Sequence, residues 1–115
     1  MKKSVWKIYL LLLFCLLYSS SLYSQITITQ FNASWNSVND VDWLKKLSDV
    51  DKIKYIDIAE NTKAQNKYEI TVVPTIIILD DGEEDERYEA DISFTMKATR
   101  EDVQEYIDEL IINKF

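Results

Sequence analysis

One run decides most of what this chain can become. Thr-Val-Val-Pro-Thr-Ile-Ile-Ile-Leu at positions 71–79 holds the single proline of the sequence, and the single glycine follows at Gly82. A strand this apolar along its whole length is buried on both faces, so it belongs in the middle of a sheet with cover on each side. Asp81-Gly82 is a hairpin signal, which predicts an antiparallel return strand over 86–92.

The remaining elements follow from periodicity. Residues 26–31 alternate apolar and polar and predict a first strand. Positions 32–39, rich in Asn and Ser, predict a loop, and Ser37 followed by Asp40 is a helix-start pair. The helix it predicts carries Val41, Leu44 and Leu47 on one face, with Trp43 beside them. Residues 54–58 predict a second strand, and 61–68 a short polar helix. Thr99 is placed to cap a last helix whose buried stripe is Val103, Tyr106, Ile107, Leu110 and Ile111. The order is β-α-β-α-β-β-α, an α/β class with a central mixed sheet flanked by helices. Its first βαβ is parallel and its last pair antiparallel.

The first 24 residues read as a signal peptide: Lys2 and Lys3, an apolar run of 11 residues at 8–18, and a small-residue stretch ending at Ser24. The run is shorter than the roughly 20 apolar residues of a spanning helix, so no membrane insertion is expected after cleavage. Residues 25–115 then form one domain without linkers or repeats. Losing Lys2, Lys3 and Lys7 leaves that domain 10 basic against 20 acidic residues, a net charge of −10. Such a surface argues against nucleic acid as a partner. The only cysteine, Cys15, lies in the signal segment, and the sequence contains no histidine. Disulfides, thiolate or imidazole metal sites and Cys- or His-based catalysis are thereby excluded from the mature chain. No catalytic residue, metal site or cofactor is expected.

Phe31-Asn-Ala-Ser-Trp35 at the end of the first strand resembles the Phe-x-Ala-x-Trp of thioredoxins. Lys67-Tyr-Glu-Ile-Thr-Val-Val-Pro-Thr75 resembles the run leading into their central strand, and Gly82 falls where their hairpin glycine lies. The resemblance covers essentially the whole mature chain and implies a minimal thioredoxin fold. It aligns the Trp-Cys-Gly-Pro-Cys redox motif with Trp35-Asn-Ser-Val-Asn39, placing Asn36 and Asn39 at both cysteine positions. The buried acid of active thioredoxins aligns with Gln30. Amides form neither thiolate nor disulfide, so the resemblance implies a thioredoxin-like domain without thiol–disulfide exchange.

Several features keep two readings at this point. Pro74 is either an ordinary trans proline at a strand start or, as the resemblance implies, follows a cis bond that opens Val73 to an extended peptide. Trp35 is either a half-buried cover for the core or an exposed platform. Asn36, Ser37 and Asn39 are either turn and capping residues or ligand contacts. Six acids in the eight residues 80–87 do not match an EF-hand and read as a solvated hairpin protecting an edge. If that hairpin lies near the groove, it favours partner segments carrying Lys or Arg. Asn32-Ala-Ser34 matches a glycosylation sequon of the kind that arises by chance.

The function expected is that of an exported module, periplasmic in a Gram-negative cell. It has no redox activity and holds an extended segment of a partner protein in a groove of Trp35, Asn36, Ser37, Val73, Pro74 and Thr75. Its rivals are a permanent subunit of a cell-envelope complex and, third, a carboxylate- and metal-dependent enzyme.

Overall fold

The computed structural model describes residues 25–114. The signal-peptide and cleavage expectations fall on residues outside that range.

Four strands form one mixed sheet in the order β2-β1-β3-β4. β1 (Ile26–Asn32) is buried along its whole length and sits between two neighbours. It runs parallel to β2 (Lys52–Asp57), with Gln30 opposite Tyr55, and antiparallel to β3 (Thr75–Asp80), with Ile28 opposite Ile78. β3 pairs antiparallel with β4 (Glu83–Glu89). Alternation along β1 and β3 divides the core. Ile26, Ile28, Ile76 and Ile78 point to one face, where Val103 and Ile107 of the last helix cover them. Phe31, Ile77 and Leu79 point to the other and pack with Ala64, Tyr68, Ile70 and Val73. The molecule is therefore three layers, as an apolar central strand requires.

Two helices match expectation closely. α1 (Thr62–Lys67) starts at Asn61, whose side chain accepts from the Ala64 N–H at 3.0 Å. α2 (Arg100–Ile112) opens with a full capping box. The Asp102 N–H donates to Thr99 Oγ1 at 3.2 Å, and the Thr99 N–H donates to Asp102 Oδ2 at 2.9 Å.

The helix expected after Asp40 is absent. In its place stand short 3₁₀ turns, Ser34–Asn39 and Leu44–Lys46. Val41, Leu44 and Leu47 are buried as expected, Leu44 and Leu47 because residues three apart stack on one side of a three-residue turn. The Ser37–Asp40 pair starts no α-helix: the Asp40 N–H donates to the Ser37 carbonyl, and Asp40 itself is extended. Side chains from elsewhere take the backbone groups a helix would use. Gln30 Oε1 accepts from the Val41 N–H at 2.7 Å. Gln104 accepts from the Ser48 N–H at 2.7 Å and donates to the Ser48 carbonyl at 3.1 Å.

Strand boundaries also move, most at the starts of β3 and β4. The central strand begins at Thr75 rather than Thr71, since Pro74 has no N–H for the ladder. The return strand begins at Glu83 rather than Glu86, because Asp81 (φ 55°) and Gly82 (φ 86°) close a two-residue turn directly onto the Asp80–Glu83 pair. Both turn residues are left-handed, the geometry that matches strand twist. Arg87 then ties β4 to the end of α1: its guanidinium donates to the Tyr68 carbonyl at 2.6 Å and bonds Glu84 at 2.7 Å. That partner holds the Glu84 carboxyl below its usual range.

Candidate functional site

β1 delivers Gln30 and Asn32, both buried, to the end of the sheet where the first 3₁₀ turn begins. Asn36 sits at the kink of that turn and is only 4% exposed. Its Nδ2 donates to Asn32 Oδ1 at 3.1 Å and to the Phe94 carbonyl at 3.2 Å, while its Oδ1 accepts from Asn39 Nδ2 at 2.8 Å. Asn32 Nδ2 donates to the Asn36 carbonyl at 3.1 Å and to Asp40 Oδ1 at 2.5 Å. Gln30 Nε2 reaches the same Asp40 oxygen at 3.1 Å. Both positions aligned with the redox cysteines thus belong to one amide network whose donors and acceptors satisfy one another.

This corrects one reading of the sequence and agrees with another, the chance nature of the sequon. The turn is capped by no side chain, so Asn36 and Asn39 are network members and not helix caps. Asn32 is buried with its amide engaged twice, which is incompatible with its glycosylation.

Above the network lies an exposed apolar platform. Trp35 is 66% exposed and meets Phe94 edge-on, with ring centroids 5.4 Å apart. Val38 on the same turn and Ile92 on the Phe94 loop are almost fully exposed. Phe94 has φ 60°, a conformation that costs a side-chain-bearing residue about 1–2 kcal/mol. The Trp35 ring and the Asn36 amide hold it there. Asp91 shapes the same loop: its Oδ1 accepts from the Ser93 N–H at 2.9 Å and from the Ser93 hydroxyl, which together hold its carboxyl below the usual range.

Of the six residues expected to line a groove, only Trp35 and Ser37 are exposed. Val73 is buried in the cluster that holds Phe31 and Ala33. Pro74 follows a cis peptide bond and is also buried, and its carbonyl accepts from the Ala90 N–H at 3.0 Å. Thr75, fully buried, donates its hydroxyl to the Val72 carbonyl at 2.7 Å. These three belong to the core and not to an open groove, and Phe94 supplies the second exposed aromatic that the sequence did not single out. Nothing in an isolated Ser-Phe-Thr triplet pointed to Trp35, because the pairing spans two loops far apart in the chain.

On the other side of the Trp35 turn, Ser34 and Ser37 line a cleft of about 360 Å³. Gln30, Asn32, Asp40, Tyr55 and Asp57 complete its polar lining, over Ile56 and Ala33. The acidic hairpin is nowhere near: Asp80 pairs with Ile26 and the Asp81 N–H bonds the Gln25 carbonyl, at the opposite end of β1 from Trp35.

No family model matches the sequence, and neither does any curated protein. Solved structures do match in fold. A point-mutant thioredoxin from Halobacterium salinarum is 21% identical with a TM-score of 0.57, over 74% of each chain. Thioredoxin 1 from Thermosipho africanus is 25% identical with a TM-score of 0.57, over 74% of this chain and 93% of its own. A thioredoxin from Nicotiana alata is 21% identical with a TM-score of 0.55, over 84% of this chain and 83% of its own. This chain has the thioredoxin-like fold, with Asn36 and Asn39 at the two ends of the tetrad that its sequence aligns with the redox cysteines.

Proposed function

We propose that the chain is an exported, redox-inactive thioredoxin-like domain that acts as a non-catalytic interaction module. It holds an extended segment of a partner protein against the platform of Trp35 and Phe94. No thiol–disulfide cycle takes part, because the mature chain has no cysteine and amides occupy the tetrad. Export rests on the signal-like segment ending at Ser24, and the exported protein is expected to begin at or near Gln25 by intact mass.

The observation that carries the reading is a tryptophan left 66% exposed although a satisfied buried network fixes its turn. Rigid aromatic anchors of this kind dominate binding energy at protein interfaces. Val38, Ile92 and Phe94 extend the apolar surface around it.

The test is Trp35→Ala, confirmed folded by circular dichroism, used to capture partners from envelope extract beside the unaltered protein. Loss of the captured partner is expected. Full retention by the folded variant would overturn the platform and move the contact to another face, as in a permanent envelope subunit.

A further inference from the structure

The hairpin acids lie at the wrong end of the sheet to flank the platform, and Asp91 on the Phe94 loop is paired with Lys97, which leaves the cleft beside Trp35 as the neighbour with uncompensated charge. Two carboxylates line it from separate elements, each oriented by bonds to one oxygen only. Asp40 Oδ1 accepts from Gln30 and Asn32, both buried. Asp57 Oδ1 accepts from the backbone N–H groups of Ser34 at 3.2 Å and Ala59 at 2.9 Å. The second oxygen of each has no hydrogen-bond partner among the described residues, and neither carboxylate meets a lysine or arginine there. Tyr55, half exposed, adds an aromatic ring to the same lining, while Ile56 and Ala33 give it an apolar floor. At about 360 Å³ the cleft is within the range of side-chain and small-ligand sites.

These parts match one chemistry. An ammonium or guanidinium offers several donors to unpaired carboxylate oxygens, its alkyl stem lies on an apolar floor, and its charge favours an aromatic face. Ser34 and Ser37 line the cleft while Trp35 stands on the same turn, so a chain crossing the platform can send its next side chain into the cleft.

We propose that the cleft of Asp40, Asp57 and Tyr55 is a pocket for a Lys or Arg side chain adjoining the apolar residue that the platform holds. The inference rests on the platform reading and specifies the partner's chemistry. Orientation is already supplied by Gln30, Asn32 and two backbone amides, so little is lost in ordering the carboxylates on binding.

The experiment titrates the exported protein with three probes: acetyl-Ala-Phe-Arg-Ala-amide, the same peptide with citrulline for arginine, and N-acetyl-arginine amide. Amide NMR signals of the Gln30 and Asn32 side chains report on the cleft, and the Trp35 indole on the platform. Saturable shifts at Gln30 and Asn32 are expected with the arginine peptide and not with citrulline, which keeps the shape and removes the charge. Asp40→Asn and Asp57→Asn retain the oxygen that accepts the internal bonds, and each should weaken the arginine peptide by roughly tenfold. Tyr55→Leu, which disturbs none of those bonds, should weaken it as well. If N-acetyl-arginine amide binds as tightly as the peptide with the same dependence on Asp40 and Asp57, the cation site stands and its ligand is a free organic cation. Equal binding of the arginine and citrulline peptides, both lost in Trp35→Ala, would overturn the cleft and leave the platform. No shift at Gln30 or Asn32 with any probe would also overturn the cleft, and partner capture by the Trp35 variant would still decide the platform separately.

Discussion

Asn36 does at this turn what no cap or ligand reading asked of it. It bonds a strand residue, a turn residue and a loop carbonyl at once, inside the protein. Asn36→Ala removes three hydrogen bonds and leaves Asn32 Oδ1 without its donor, so the expected loss is about 1–3 kcal/mol by urea unfolding. Asn39→Ala, at a half-buried position with one such bond, should cost less than Asn36→Ala. An unchanged midpoint in Asn36→Ala would show that the network holds nothing. Thr29 presents the opposite case. Its side chain is 2% exposed and its hydroxyl has no hydrogen-bond partner among the described residues. Thr29→Val keeps the shape and removes the unpaired oxygen, so the urea midpoint should rise, by about 1 kcal/mol in stability.

Among the elements, α2 depends most visibly on a local signal. Thr99 and Asp102 satisfy each other's backbone N–H, and Val103 and Ile107 then enter the core within the first two turns. Thr99→Ala should cost about 1 kcal/mol, and because Val103 and Ile107 of α2 belong to the core on one face of the sheet the loss should appear in global unfolding, not only in fraying. A midpoint unchanged within error would mean that packing alone sets the start of α2. The segment between Asp40 and Val50 shows the reverse dependence. Glutamine side chains reaching from β1 and α2 fix its two ends, at Val41 and Ser48, and only the single 3₁₀ turn Leu44–Lys46 holds the part between.

For the molecule as a whole, both open edges of the sheet carry charge. Lys52 and Lys54 mark β2, and Glu83, Glu84, Asp85 and Glu86 mark β4, an arrangement that keeps exposed edges from pairing. The acids of β4 also act on two tyrosines beneath them. Burial, and then the nearby Glu86, Asp102 and Glu109, push the Tyr88 hydroxyl up to about 12. The bond from the Tyr106 hydroxyl to Asp85, with partial burial, pushes Tyr106 up to about 12. Both values lie above the ordinary value of 10.0, so the folded protein keeps protons that the unfolded chain releases. This contribution is complete below pH about 10 and is lost as the pH rises towards 12. The urea midpoint should therefore fall over that window, and Tyr88→Phe should make the fall shallower. An identical slope in the variant would exclude Tyr88 as a source.

What the sequence alone determined are the features whose causes are local. Alternation placed β1, a nearly unbroken apolar run placed β3 at the centre, Asp81-Gly82 closed the hairpin, and Thr99 with a spaced apolar stripe announced α2. The fold followed from their order. Tertiary structure decided what depends on groups far apart in the chain. The bond from Asn36 to the Phe94 carbonyl spans 58 positions, and that from Ser48 to Gln104 spans 56. The first ties the buried Asn36 amide to the Phe94 loop and raises Phe94 against Trp35; the second occupies backbone groups that a helix after Asp40 would have used. No window of neighbouring residues contains either partner pair, so periodicity could not reveal the platform, the cleft or the missing helix. A hydrogen bond closed over more than fifty residues exists only once the sheet between its ends has formed.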